Sequence, residues 1–100
     1  MTDSTKLEPR RSVQLRIEGN VQGVGFRNWT QRLAGQLVLA GWVRNRRDGS
    51  VEVVFSGAAA AVDEALKRCR VGPRSAKVTS VAVIDEQAPV VEGFDVLPGL

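Results

Sequence analysis

The chain has no histidine, no tyrosine and a single cysteine, Cys69. One cysteine cannot close an internal disulfide, so nothing here asks for an oxidising compartment, and the cytoplasm is the expected location. Without histidine and with one thiol, a transition-metal centre is not expected. No apolar run is long enough to cross a membrane, and the first residues lack a signal-peptide pattern. Proline is also scarce: four in all, with Pro9, Pro73 and Pro89 each marking a break between patterned segments.

What remains is one hundred residues, 43% hydrophobic, enough for one domain around one core. The net charge is 14 − 11 = +3. That is compatible with an anionic partner, but an excess so small is also common in ordinary domains.

Met1 to Ser12 is polar, with Pro9 and the Arg10-Arg11 pair, and reads as a disordered tail ahead of a domain over residues 13–97. A nucleic-acid arm is the alternative reading of those arginines. Val13-Gln14-Leu15-Arg16-Ile17-Glu18 alternates apolar and polar residues, the pattern of a half-buried strand. Gly19-Asn20-Val21-Gln22-Gly23-Val24-Gly25-Phe26-Arg27 follows, and from Phe26 the spacing becomes helical. Phe26, Thr30, Leu33, Ala34 and Leu37 then form one core-facing stripe, with Trp29 at its edge. A glycine loop leading into a helix N-terminus offers unpaired N–H donors and a partial positive charge, a combination that suits phosphate. Arg27 can close over such an anion with a two-pronged fork. Read by spacing alone, the same glycines serve equally well as turn punctuation. The loop is not a Walker-type loop, because no Gly-Lys-Ser/Thr follows it. The chain is also too short for a dinucleotide-binding sheet.

Trp42 to Arg46 and Ser50 to Phe55 predict two strands joined across Asp48-Gly49. A two-residue turn would set Arg44 opposite Val53; a three-residue turn with Gly49 left-handed sets Val43 opposite Val53 and Asn45 opposite Val51. The second keeps arginine off the buried face. It puts Asn45 inside, near the hairpin tip, either as a filler of the turn or as a site residue. Gly57 is expected to separate this strand from a second helix, Ala58 to about Arg70, with Val62, Ala65, Leu66 and Cys69 inward. Cys69 is thus a core residue rather than a nucleophile. Gly72-Pro73 ends the helix. Ala76 to Ile84 is a fourth strand, bulged where Val78 falls out of phase with Val81 and Val83. Gly93 to Leu97 can add a short fifth.

The order strand, helix, strand, strand, helix, strand is the α+β ferredoxin-like sandwich, two helices on one face of an antiparallel sheet. In that topology the ends of the first two strands lie about 9–10 Å apart at one edge. The glycine loop and Asn45 therefore meet.

Two blocks, Val21-Gln22-Gly23-Val24-Gly25-Phe26-Arg27 and Gly41-Trp42-Val43-Arg44-Asn45 with Asp48-Gly49-Ser50-Val51-Glu52, resemble the paired signatures of the acylphosphatase family. The resemblance spans about Val13 to Phe94. It implies hydrolysis of small acyl phosphates to carboxylate and phosphate, without metal or cofactor. By matching positions, Arg27 resembles the family's phosphate-binding arginine and Asn45 its water-positioning asparagine. Gln22, Gly23, Val24, Gly25 and Phe26 resemble its phosphate loop. Inorganic phosphate or sulfate is then expected to compete with substrate, and a monomer to suffice. One departure stands out: the family usually has glycine where this chain has Val38, and valine resists the left-handed conformation that ends helices.

Two other classes compete. A nucleic-acid-binding ferredoxin-like domain would use Arg44, Arg46, Arg47 and the Arg10-Arg11 tail. It would also want aromatic residues on the central strands; the first offers none and the third only Phe55, so this partner is not expected. The other class is a non-catalytic phosphate or carboxylate sensor, or a module of a carbamoyl-transfer machine.

Overall fold

A computed structural model describes residues 9–99. The chain runs β1 (Arg10–Asn20), α1 (Phe26–Leu37), β2 (Ala40–Asn45), β3 (Val51–Ala58), α2 (Ala59–Cys69), β4 (Lys77–Asp85) and β5 (Phe94–Val96). The strands form one sheet in the order β4-β1-β3-β2-β5, covered by the two helices, which is the ferredoxin-like α+β sandwich. The four longer strands pair antiparallel. β5 pairs parallel to β2, so the sheet is mixed rather than wholly antiparallel. The chain reverses after β4, and at the opposite edge it therefore runs in the direction of β2.

Alternation sorts the residues as the pattern requires. Val13, Leu15 and Ile17 of β1, Val43 of β2, and Val51, Val53 and Phe55 of β3 are buried in one cluster with the helices. Phe26, Leu33 and Ala34 of α1 and Val62, Ala65, Leu66 and Cys69 of α2 join it, with Val21 and Leu39 from the connections. Thr30 is also fully buried, and its hydroxyl donates to Phe26 O at 2.8 Å, so its polarity is satisfied inside the helix. Burial pushes the Cys69 thiol up to about 12, which removes it as a nucleophile at neutral pH.

Three departures from the sequence reading have clear causes. β1 begins at Arg10, not Val13, because Arg10, Arg11 and Ser12 find partners in Ala58, Gly57 and Ser56. Arg11 is held further by Asp63 at 2.6 Å and Glu86 at 2.8 Å. Residues 1–8 of the expected tail lie outside the described residues. Gly57 lies within β3 instead of ending it, since the longer β1 supplies its partner. A Cβ at Gly57 would come within 2.7 Å of Leu39 Cδ2. Val38, finally, does take the left-handed conformation, φ 55° and ψ 48°, and its N–H still bonds at the end of α1.

The β2–β3 hairpin has the register that keeps arginine outside: Val43 faces Val53 and Asn45 faces Val51. Arg46 N–H donates to Ser50 O at 2.9 Å, leaving a three-residue turn with Gly49 at φ 92°. Asp48 accepts from the Ser50 hydroxyl at 2.6 Å and the Ser50 N–H at 2.9 Å, and these bonds hold its carboxyl below the usual range. On the sheet face away from the helices, Glu52 is only 3% exposed. Arg44 at 2.7 Å, Arg46 at 3.1 Å and Gln14 at 2.6 Å all donate to it. Burial alone would raise this carboxyl; the Arg44 and Gln14 hydrogen bonds and the two arginine charges outweigh it and hold it below the usual range.

β4 carries two irregularities against β1. Glu18 faces Ser80 while Gly19 faces Val78, and Gln14 faces Asp85 while Leu15 faces Val83. Thr79 and Ile84 are thus the extra residues, and the first is the bulge that the phase break between Val78 and Val81 predicts. No helix among the described residues is long and apolar enough to cross a membrane.

Candidate active site

β1 and β2 run parallel with β3 between them, so the loop after β1 and the end of β2 open on the same side of the sheet. Between them lies a cavity of about 180 Å³. Its walls are Val21, Gly23, Gly25, Phe26, Arg27 and Asn28 from the loop and first turn of α1, Asn45 from β2, and Val96 from β5.

The loop owes its shape to Gly23 and Gly25, at φ 72° and 78°. A Cβ at either would meet no atom within 4 Å, so conformation rather than crowding calls for glycine at both. Gly25 is the residue before α1, and no side chain caps the helix there. The first intrahelical bond runs from Trp29 N–H to Gly25 O at 3.0 Å, which leaves the amides of Phe26, Arg27 and Asn28 without a helical partner. The residues that carry those donors, at the positive end of the helix dipole, line the cavity. Phe26 pins the turn from below: it is buried and packs on Trp29 with ring centroids 5.3 Å apart. Ser75 Oγ secures the outer side of the loop by donating to Val24 O at 2.9 Å.

Arg27 is half-buried, and one arm of its guanidinium donates to Leu97 O at 3.3 Å. No carboxylate among the described residues pairs with it. Leu97 is itself tied to the sheet, its N–H donating to Val43 O at 2.8 Å. The segment following β5 thus steadies the arginine from behind. Asn45 is also half-buried, and its Oδ1 is shielded from solvent with no hydrogen-bond partner among the described residues. An orphaned buried acceptor costs on the order of 1–3 kcal/mol. Among the described residues no hydrogen bond engages this amide.

The structure therefore brings Arg27, Asn45, Gly23, Gly25 and Phe26 to one cavity. It does not put Gln22 or Val24 on the cavity wall. Gln22 turns its side chain toward the hairpin, where Nε2 donates to Arg46 O at 2.7 Å and Ser50 O at 2.8 Å, and Val24 packs against the core. Three neighbours were not foreseen from the sequence. Asn28 had a signal, being polar, off the apolar stripe and in the first helical turn. Val96 and Leu97 had none, since only the β2–β5 pairing brings them near.

The surface arginines that an RNA- or DNA-binding reading needs are largely occupied. Of those that reading names, Arg44 and Arg46 bond Glu52, and Arg11 bonds Asp63 and Glu86.

Known proteins match this chain over most of its length. A family model described as Acylphosphatase matches residues 13–96. An acylphosphatase of Rhodopseudomonas palustris is 52% identical over 82 residues, covering 82% of this chain and 80% of that protein. One from Rhodospirillum rubrum is 49% identical over 90 residues, covering 90% of this chain and 99% of that protein. The solved structure of an acylphosphatase from Coxiella burnetii superposes with a TM-score of 0.85 at 27% identity, covering 96% of this chain and all of that one.

Proposed function

Because the chain belongs to the acylphosphatase family, we propose that its cavity is where an acyl phosphate is hydrolysed, with Arg27 and the loop amides holding the phosphoryl group and Asn45 orienting the water. The chain is accordingly a hydrolase. The observation that carries the residue roles is the convergence of unclaimed donors and one unclaimed side-chain amide on a single small cavity.

The chemistry asks little of the protein beyond placement. In an acyl phosphate the bridging oxygen leaves as a carboxylate, a good leaving group, so no strong general acid is needed. Water attacks phosphorus; a P–O bond forms as the bond to the acyl oxygen breaks. The electron pair departs on the carboxylate, and the water proton passes to a phosphoryl oxygen of the substrate. Negative charge on the equatorial oxygens meets the N–H groups of the loop and first turn and the fork of Arg27. The Asn45 amide holds the water in line, and this positioning is where a rate factor of roughly 10² or more arises. Glu18 is exposed and faces Ser80, away from the cavity, so no carboxylate is assigned as base.

The loop, the first helical turn and the strand end that carry these roles belong to one chain, and a monomer is part of this reading. The cysteine usage supports a cytoplasmic setting. The test is hydrolysis of acetyl or benzoyl phosphate by purified protein in excess EDTA, with inorganic phosphate or sulfate added as inhibitor. Turnover in chelator with purely competitive inhibition is expected. Turnover that depends on added magnesium, or inhibition that leaves the apparent KM unchanged, would overturn the cradle mechanism.

A further inference from the structure

Gln22 lies in the loop, yet it is not on the cavity wall and its side chain reaches the hairpin instead. Both Nε2 hydrogens are committed, one to Arg46 O at 2.7 Å and one to Ser50 O at 2.8 Å. What remains is Oε1, an acceptor that cannot bind an anion. The two carbonyls belong to the closed end of the β2–β3 hairpin, where Arg46 N–H also donates to Ser50 O at 2.9 Å. Arg46 directly follows Asn45, the last residue of β2. The β1–β3 ladder ends at the pair of Ile17 and Val51. Beyond that pair, the Gln22 amide spans the gap between the loop that presents the amides and Arg27 and the strand end that presents Asn45.

We propose that Gln22 is a positioning residue: by clamping the hairpin tip to the loop it fixes the distance between the phosphate cradle and Asn45. This rests on the hydrolytic reading above. The in-line geometry requires two groups on different chain segments to keep one spacing, and a misplacement of about 1 Å can cost about 10²-fold in rate. Two hydrogen bonds to backbone carbonyls set such a spacing where side-chain packing alone would leave it loose. The loop amides and Arg27 belong to one continuous segment, so anion binding itself does not need the clamp.

The experiment compares Gln22→Met, Gln22→Ala and Asn45→Ala with the double variant Gln22→Met/Asn45→Ala. Gln22→Met keeps the length and bulk of the side chain and removes both donors. It is expected to lower kcat about tenfold, to change the inhibition constant for phosphate less than about threefold, and to unfold near the wild-type temperature. In the Asn45→Ala background the same change should lower kcat less than about twofold, because the residue that it positions is gone. Full kcat in Gln22→Met overturns the clamp and leaves a filling role. Losses that multiply independently in the double variant overturn action through Asn45. Phosphate binding lost as in Arg27→Ala would make Gln22 part of the anion cradle. Should the wild-type protein fail to hydrolyse acyl phosphates, the hydrolytic reading falls and the clamp is still tested by NMR. The side-chain amide resonances of Asn45 are expected to shift in Gln22→Met while those of Gln36, on the far part of α1, stay in place. Unchanged Asn45 resonances overturn it.

Discussion

The two strand-to-helix connections of this fold hold corresponding places and behave in opposite ways. From β1 to α1 the chain makes a loop, residues 21–25, whose last residue is left-handed. From β3 to α2 the helix starts at the next residue, Ala59 after Ala58. Neither helix has a capping side chain. In α2 the first amide is nonetheless claimed, Ala59 N–H donating to Pro9 O at 2.9 Å. In α1 the corresponding donors border the cavity beside Arg27. Identical topology therefore does not make a site. The candidate site lies where the connection is long enough, and carries glycines in the places needed, to leave helical donors without a helical partner.

The contrast is sharpened most by the two side chains at the open junction. Arg27→Ala should lower kcat by roughly 10²-fold or more and also weaken inhibition by phosphate, since the proposed role sets Arg27 against the phosphoryl group throughout the reaction. Arg27→Lys should recover little, a point charge being a poor substitute for a fork. Asn45→Ala should lower kcat by roughly 10²-fold, about 2.7 kcal/mol, while phosphate inhibits nearly as before. Equal loss of phosphate binding in both variants would make Asn45 another wall of the anion site. In the buried core, to which Cys69 belongs, the pattern should invert. Cys69→Ala is expected to keep kcat within about twofold and to cost on the order of 1 kcal/mol of stability by chemical denaturation. A folded Cys69→Ala protein without turnover would break the division.

Smaller effects are expected away from both junctions. Val38→Gly should stabilise the protein by about 0.5–1 kcal/mol. Relief of a left-handed β-branched residue is worth about 1–2 kcal/mol, offset in part by the freer unfolded chain. A lower denaturation midpoint for this variant would show that Val38 has a role its 87% exposure hides. Acid should test the covered face of the sheet. The folded Glu52 carboxyl lies below the usual value of 4.5, so its contribution is present above that value and fades as pH falls through the lowered one. Between about pH 5 and about pH 3 the melting temperature of the wild type should fall more steeply than that of Glu52→Gln.

Much of this architecture was legible because it follows from local pattern. The 3.6-residue stripe delimits α1 at Phe26 and Leu37, and the exclusion of arginine from the core fixes the hairpin register. The glycine loop and Asn45 could be brought to one edge from strand order alone. What escaped depends on contacts between distant segments. Alternation puts Glu52 on the outer face, but only the flanking strands reveal that Gln14, Arg44 and Arg46 reach across it and shut out water. The direction of the Gln22 side chain was hidden for the same reason. The resemblance that puts Gln22 in the phosphate loop says nothing of the hairpin carbonyls that claim its amide. Arg10 to Ser12 read as tail because their strand pairing comes from residues more than forty positions onward.

The bulges in β4 bear on how this protein behaves in company. β4 lies at one edge of the sheet, nine residues long, with one row of peptide groups facing outward. An uninterrupted row of that kind is a template on which another chain can add a strand, the first step toward fibrils. At Thr79 and Ile84 the extra residue throws that row out of step. An incoming strand of regular pitch would find matching donors and acceptors for only a short stretch before falling out of register. The irregularity that one phase break in the sequence foretold thus interrupts the edge that a flat strand would offer to another chain.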